Sequence, residues 1–445
     1  FSGYGSKAVI ERLNIAKAKG IFTVEKTFRK GKEIRMFDLV KNDLDQVQSL
    51  SKIFLLGKDT GKKIFNWENF NNVSEKLNTE EMNSEDPAII HFTSGTTGKP
   101  KGCVYTHVGL VSKMSFDEGV LADFKQNDIH LCMADMGWMV GSKSATIASL
   151  HGAKMVIAEG VPDFPDEVRF WKLIEKYKVS WTELSPALIR AQMIKDKKLF
   201  KDLNLNSLRI VCTGGEPWTE KPWKWLFQVI GKSKVPIMNS AGGTEVSGSI
   251  LHCCLHRPFK VGSFNAPIPG MSADILNLDG KKVSTNEMGE LVMRKSSIGL
   301  TKSLWNDDKR YIDNYWSVIK DYWVHGDLAS RDADGHWYLH GRSDDTIKVS
   351  GKRIGSGFGF AITKHECLGA RSDDKSTGMS SFTLANLLRF CALLRLIRVF
   401  RFLSSRKRRV YARVGTDRLC VRIYSNFNQR HENKASFSKK LFVTI

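Results

Sequence analysis

The chain has 445 residues, 42% hydrophobic and 26% charged, which suits a globular protein of two or three domains with a sizeable core. It contains no uninterrupted apolar run of about 18 residues, which excludes a simple transmembrane helix. The net charge of +21 does not spell nucleic-acid binding, because residues 356–445 hold 18 Lys and Arg against 5 Asp and Glu and leave only +8 on the first 355.

Eight cysteines lie scattered without a CxxC pair, a pattern of reduced thiols expected in a cytoplasmic enzyme rather than of a disulfide framework. The chain opens on Phe1 with no basic-then-apolar leader, and it is expected to be a fragment whose natural start is missing.

Residues 7–19 read as a helix with Val9, Leu13 and Ala16 on one face, followed by a strand over 20–24, one step of a layered α/β fold. Residues 60–85 are polar and Asn-rich, a long connection. An apolar run at 88–92 then reads as a buried strand that empties into the stretch 90–102, IHFTSGTTGKPKG. Gly95, Gly98 and Gly102 let backbone N–H groups approach an anion, Ser94, Thr96 and Thr97 add hydroxyls, and Lys99 and Lys101 add positive charge. This is a phosphate-handling loop, but not a Walker A loop, since Pro100 follows Lys99 and the glycine spacing is too short.

A helix is expected over 109–122, then MADMGWMVG at 133–141, then a second helix and a strand at 154–158. Further αβ units follow: helix 166–177, strand 179–183, helix 186–194. Such repetition predicts mostly parallel sheets covered by helices. Residues 208–217, LRIVCTGGEP, form a strand running into a Gly-Gly turn, where a flat base can slide against bare backbone. In NSAGGTEVSG, 239–248, the Thr244 hydroxyl suits a phosphate and the Glu245 carboxylate suits Mg2+, although an isolated Thr-Glu pair also reads as a plain helix start.

Two groups of residues imitate metal sites. His252, Cys253, Cys254 and His256 lack a second ligand pair at zinc-like spacing, and Asp332, Asp334 and Gly335 lack the remaining positions of a calcium loop and read as a hairpin turn within 322–342.

These segments, in this order, closely resemble the signature of the adenylate-forming acyl-CoA synthetases, the superfamily that includes acetyl-CoA and medium-chain acyl-CoA synthetases, peptide-synthetase adenylation domains and firefly luciferase. The resemblance implies a large α/β domain of several subdomains, with mostly parallel sheets plus a small β subdomain at 260–270 and 288–294, spanning 1–341. It implies ATP and Mg2+ bound there, with a short- to medium-chain carboxylate activated as acyl-AMP and passed to CoA. By motif, ATP or AMP falls to Thr93, Ser94, Gly95, Thr96, Thr97, Gly98, Lys99, Gly215, Glu216, Pro217, Thr244, Asp327, Arg342 and Arg353. Catalysis falls to Lys101, Thr244 and Glu245, with Glu245 the Mg2+ ligand.

Trp138 lies in the family's acyl-pocket segment and reads equally as a pocket wall or a core tryptophan. Acetyl-CoA synthetases resemble one another in having a Trp where this chain has Ala241, Gly242 and Gly243, so the resemblance implies an acyl pocket larger than acetate needs. Residues 342–355 resemble the family hinge: Asp344 the pivot, Ser350 and Gly351 beside the pantetheine tunnel.

Past Gly355 the resemblance stops. The family lid and its lysine have no counterpart, and residues 356–445 form a basic tail. The abrupt change is read as translation out of frame, or across a wrongly joined boundary, ahead of a genuine amphipathic binding helix at 380–405. Two other functions stay open: a ligase with a different acceptor, and an inactive remnant whose tail binds anions.

Overall fold

The computed structural model describes residues 3–61, 63–67, 78–93 and 99–343, together with the backbone of 347–349, 352–354, 410–414 and 421–425. The chain divides into two compact units, Phe1–His365 and Glu366–Ile445.

The first unit opens with helix α1 (Ser6–Ala16) and strand β1 (Gly20–Val24), followed by a hairpin of β2 (Thr27–Arg29) and β3 (Lys32–Ile34). Strands β4 (Lys52–Leu56) and β5 (Ile64–Asn66) lie parallel to β1 in the order β1-β4-β5. Ile10, Phe37, Val40, Leu44, Ile53 and Leu55 make the core of this sheet. Strand β5 falls inside the stretch read as a connection, because the apolar pair Ile64 and Phe65 is enough to extend a sheet already nucleated by β4.

Strands β6 (Pro87–Thr93) and β7 (Lys101–Thr106) form an antiparallel hairpin with Thr93 opposite Lys101. Of the two lysines in the stretch expected to handle phosphate, Lys101 begins a second strand that the sequence reading did not include, while Lys99 precedes it. The Thr106 hydroxyl accepts the Gly109 N–H at 3.0 Å and starts α2 (His107–Met114), two residues earlier than expected; the helix then widens into a π-helical segment, Ser115–Leu121.

The central sheet has seven strands. Strands β8 (Ile129–Cys132), β9 (Lys154–Val156), β10 (Trp181–Leu184), β11 (Ile210–Gly214) and β12 (Ile237–Gly243) run parallel, with β13 (Gly248–His252) and β14 (Ala266–Pro267) antiparallel at one edge, in the order β14-β13-β12-β11-β10-β8-β9. Helices α3 (Met139–Leu150), α4 (Arg169–Tyr177) and α5 (Pro186–Gln192) connect them, so the mostly parallel α/β layering stands.

Residues 260–270 contribute to both sheets: Phe264 forms an antiparallel bridge with Trp337 of the small β subdomain, its N–H donating to the Trp337 carbonyl at 2.9 Å and its carbonyl accepting the Trp337 N–H at 2.8 Å. The same stretch supplies β14 of the large sheet, held because the Asn265 amide bonds the backbone of Cys254, Arg257 and Pro258. The small subdomain is the antiparallel sheet β15 (Ala273–Leu276), β16 (Gly289–Met293), β17 (Trp323–Arg331) and β18 (Trp337–Arg342), which includes the expected 288–294 strand and the 322–342 hairpin.

Strands β19 (Ile347–Val349) and β20 (Lys352–Ile354) form a short antiparallel pair within residues 342–355, the stretch expected to be the hinge. In the second unit the described backbone is an antiparallel pair, β21 (Val410–Val414) and β22 (Val421–Ser425). The amphipathic helix read over 380–405 lies outside the described residues. Among the described residues no helix is long and apolar enough to cross a membrane.

Candidate active site

Lys101 opens β7, and its ammonium donates to Glu245 Oε1 at 3.1 Å and to the Tyr315 hydroxyl at 2.5 Å. Tyr315 donates in turn to Glu245 Oε1 at 2.5 Å. The Lys101 and Glu245 side chains are each 13% exposed, and Tyr315 is buried with its ring stacked on Trp323, centroids 5.3 Å apart. Burial opposes ionisation of Glu245, but the charge of Lys101, the Tyr315 hydrogen bond and the field of His325 together hold its pKa below the ordinary carboxylate value. Burial and the Glu245 carboxylate push the Tyr315 phenol far above its usual range, so Tyr315 remains a donor.

Two links lock the backbone around this cluster. The Tyr105 hydroxyl donates to the Thr244 carbonyl at 2.6 Å. The Thr301 N–H donates to the Glu245 carbonyl at 2.7 Å, while the Thr301 hydroxyl accepts the Val104 N–H of β7 at 2.8 Å. Thr244 and Glu245 begin a short 3-10 turn, Thr244–Val246, as the plain reading of that pair anticipated, yet Glu245 points inward rather than to solvent.

Asp327 stands on β17 opposite Arg342 of β18. His325 Nδ1 lies 2.8 Å from Asp327 Oδ2, and Arg342 Nη1 lies 3.6 Å from Asp327 Oδ1 and donates to the His325 carbonyl at 3.1 Å. Burial opposes the Asp327 charge, but His325 and Arg342 win and lower its pKa. Gly326 has φ +85°, and a Cβ there would meet Arg342 Nη2 at 2.7 Å, so glycine is required for the arginine to lie across the strand. A Cβ on Gly243 would sit 2.9 Å from His325 Nε2 and 3.1 Å from Glu245 Oε2. Gly243 thus lets the Lys101–Glu245–Tyr315 group and the His325–Asp327–Arg342 group approach one another.

Gly215, Glu216 and Pro217 follow β11, whose last residue Gly214 pairs with Ser240 of β12, the strand that ends at Gly243. Gly215 has φ +86° and open space where a Cβ would stand, and Glu216 is paired with Arg190 of α5. Thr93 ends β6 with its hydroxyl buried and unpartnered among the described residues. Lys99 is exposed, and its carbonyl accepts from Arg310 at 3.0 Å. Ser94, Gly95, Thr96, Thr97, Gly98, Asp344, Ser350 and Gly351 lie outside the described residues, and of Arg353 only the backbone in β20 is described.

Trp138 precedes α3 and is 54% exposed, which rules out the core reading. Gly242 is different from its expectation. A Cβ on Gly242 would stand 2.0 Å from the Gly248 carbonyl oxygen and 2.5 Å from Ser249 Cα, because β12 bulges between Ala241 and Gly242 as it pairs with β13. The glycine is filled against backbone, so the missing indole does not by itself leave a vacant space.

Among the described residues no three His, Cys, Asp or Glu side chains are grouped so as to hold a metal ion. A single buried carboxylate, Glu245, still fits Mg2+, which commonly takes one or two protein carboxylates and completes its shell with phosphate oxygens and water. Asp332 and Asp334, set aside as a calcium loop, both receive Lys260.

Sequence reasoning did not single out Tyr315, His325, Arg190 or Thr301. His325 carried a signal, standing two residues before Asp327 on an alternating strand; Tyr315, in YIDNYW, carried none.

The family described as AMP-binding enzyme matches residues 1–305, and the chain belongs to that family. It is similar to the acetyl-coenzyme A synthetase of Helicobacter pylori (strain G27), 35% identical over 382 residues that cover 82% of this chain and 58% of that protein. It is also similar to the acetyl-coenzyme A synthetase of Chlorobaculum tepidum, 31% identical over 379 residues, 83% of this chain and 57% of that one. The chain thus spans less than two thirds of the length of these relatives. Among solved structures, acetoacetyl-CoA synthetase from Streptomyces lividans superposes with a TM-score of 0.75 at 25% identity, over 81% of this chain and 56% of that chain. An anthranilate CoA ligase in complex with anthranoyl-AMP superposes at 0.69 and 19% identity, over 80% and 65%, and shares the fold.

Proposed function

We propose that this chain carries the nucleotide site of an ATP-dependent acid–thiol ligase. The reaction activates a short- to medium-chain carboxylate as acyl-AMP and transfers it to the thiol of CoA. The observation that carries this reading is the convergence of Lys101, Glu245 and Tyr315, drawn from three distant segments, beside the His325–Asp327–Arg342 group.

In the first half-reaction the carboxylate attacks the α-phosphorus and pyrophosphate leaves. No protein nucleophile is needed; the chain must align the reactants and offset charge. Lys101 supplies positive charge at the root of the phosphate loop. The Thr244 hydroxyl meets the α-phosphate, and Asp327 accepts hydrogen bonds from the ribose hydroxyls. Gly215 and its neighbours offer bare backbone to the adenine, with Arg190 orienting Glu216. Mg2+, held through Glu245, would neutralise charge on the phosphate oxygens. Lys101 and Tyr315 share Glu245 Oε1 and keep the carboxylate ionised and fixed in place. In the second half the CoA thiol attacks the acyl carbon of the mixed anhydride, the carbon–oxygen bond to phosphate breaks and AMP leaves; the resemblance assigns Ser350 and Gly351 to the thiol's path and Asp344 to the pivot between the two geometries. Trp138 and the end of β12 at Gly242 and Gly243 would border the acyl group. A cytoplasmic setting agrees with the five described cysteines, all free.

Calorimetric titration of the chain with AMP and with ATP plus Mg2+ tests the nucleotide site; saturable binding is expected, and no binding refutes it. Carboxylate-dependent pyrophosphate exchange is expected to be weak or absent, because no lid lysine is recognisable in the sequence. Release of AMP that depends on CoA would separate this reading from a ligase with another acceptor.

A further inference from the structure

Behind the segment assigned to the acyl group lies a second, fully buried charged cluster. Lys143 of α3 donates to Glu118 Oε1 at 2.7 Å and to Glu183 Oε1 of β10 at 2.8 Å. Lys143 is 5% exposed, Glu118 2% and Glu183 7%. The second oxygens, Glu118 Oε2 and Glu183 Oε2, accept no hydrogen bond, and Nε2 of His130 and of His252 is equally unpartnered among the described residues. His130 stands in register with Trp181, two residues before Glu183 on the same face of β10, and so lies in the same layer as the triad. Buried polar atoms are almost always paired, and a group of orphans calls for an occupant.

Register places the cluster. Glu183 stands beside Cys132 of β8 and Cys212 of β11, and Cys212 stands beside Met238 of β12. That row is where β8 ends, at Cys132, one residue before β10 ends at Leu184; the row of Gly214 and Ser240 lies two residues, roughly 7 Å, further on, and ligands of open α/β sheets bind at such carboxyl ends. Ser240 pairs with His252, which puts that histidine in the upper row. Lys143 is one helical turn after Met139 and shares its face, on the helix that Trp138 precedes. The triad therefore sits at the carboxyl ends of β8 and β10, on the α3 side of the sheet.

We propose that Lys143, Glu118 and Glu183 form a polar floor to the acyl pocket, and that the acid this chain takes is short and carries a hydroxyl at its far end. The inference rests on the ligase reading above and adds the substrate class. A terminal hydroxyl donates to Glu118 Oε2 and accepts from Glu183, whose carboxyl burial pushes toward its protonated form. A terminal methyl does neither and leaves both oxygens orphaned, and sites built around a substrate hydroxyl reject the analogue that lacks it.

The test is calorimetric titration of the full chain with two isosteric acyl-adenylate mimics, 3-hydroxypropanoyl and butanoyl sulfamoyl adenosine, with AMP as a control. The hydroxyl mimic is expected to bind at least tenfold tighter, and Glu118→Gln or Glu183→Gln is expected to narrow the ratio while AMP affinity stays unchanged. If either variant does not fold, the wild-type ratio decides alone. Equal affinities would mean that buried water fills the floor and would overturn the proposal, leaving the ligase reading intact. Failure to bind AMP at all would instead defeat the ligase reading, and this one with it.

Discussion

The Tyr315 hydroxyl donates to Glu245 Oε1 at 2.5 Å, joining residues 70 positions apart in the chain. The same hydroxyl accepts from Lys101, so one phenol orients both a cation and an anion of the proposed nucleotide site. Its own position is fixed from the far side by the stack on Trp323, on the strand that also bears Asp327.

Tyr315→Phe keeps the stack and deletes the hydrogen bonds. Since a hydrogen bond to a charged group contributes about 1.5–3 kcal/mol, urea unfolding is expected to show a loss at the lower end of that range, with Lys101 still holding the carboxylate. An unchanged midpoint would mean that the hydroxyl is not engaged.

Asp327→Asn removes the charged acceptor assigned to the ribose. AMP affinity is expected to fall about 10- to 100-fold, the equivalent of one or two charge-assisted hydrogen bonds. Wild type should discriminate AMP from its 2′-deoxy analogue and the variant should not; equal discrimination by both would move the ribose elsewhere.

Glu245 and Asp327 both have lowered pKa values in the fold. Their stabilisation is complete above the unfolded carboxyl pKa of about 4 and is lost as pH falls through the lower folded values. In Glu245→Gln the Glu245 share is absent, so the stability gap between wild type and variant should shrink on acidification from about pH 6 to about pH 3. A gap independent of pH would contradict the assigned shift.

Two glycines of the site are expected to respond differently to alanine. Gly242→Ala drives a Cβ into the backbone of β13 and should cost about 3 kcal/mol or more. Gly215→Ala meets only open space and pays for its left-handed φ of +86°, about 1–2 kcal/mol. Paired thermal melts that give equal losses would count against the β12 bulge.

What the sequence revealed and what it hid follow from the range of the interactions. Strands such as 88–92 and 208–214 were legible because an apolar run ending in glycines is a local signal. The pairing of Ala266 and Pro267 with the large sheet was not, since a two-residue strand carries no pattern and its place depends on what the Asn265 amide can reach. Gly242 misled for the same reason: a glycine reads as empty space until the strand opposite is known to fill it. Trp138 read equally as a pocket wall or a core tryptophan from the sequence, and its exposure removed the core reading. Glu245 and Asp327 were readable by motif, but Tyr315, which links the first of them to Lys101, became visible only in three dimensions.

Thr301 touches no assigned substrate atom, yet it holds the Val104 N–H of the hairpin with its side chain and the Glu245 carbonyl with its backbone. The loop root and the carboxylate are consequently yoked, and neither can shift without dragging the other. Transplanting the glycine-rich tip into a different scaffold would carry none of this coupling. A working graft would have to bring the 301–315 segment along with both partners.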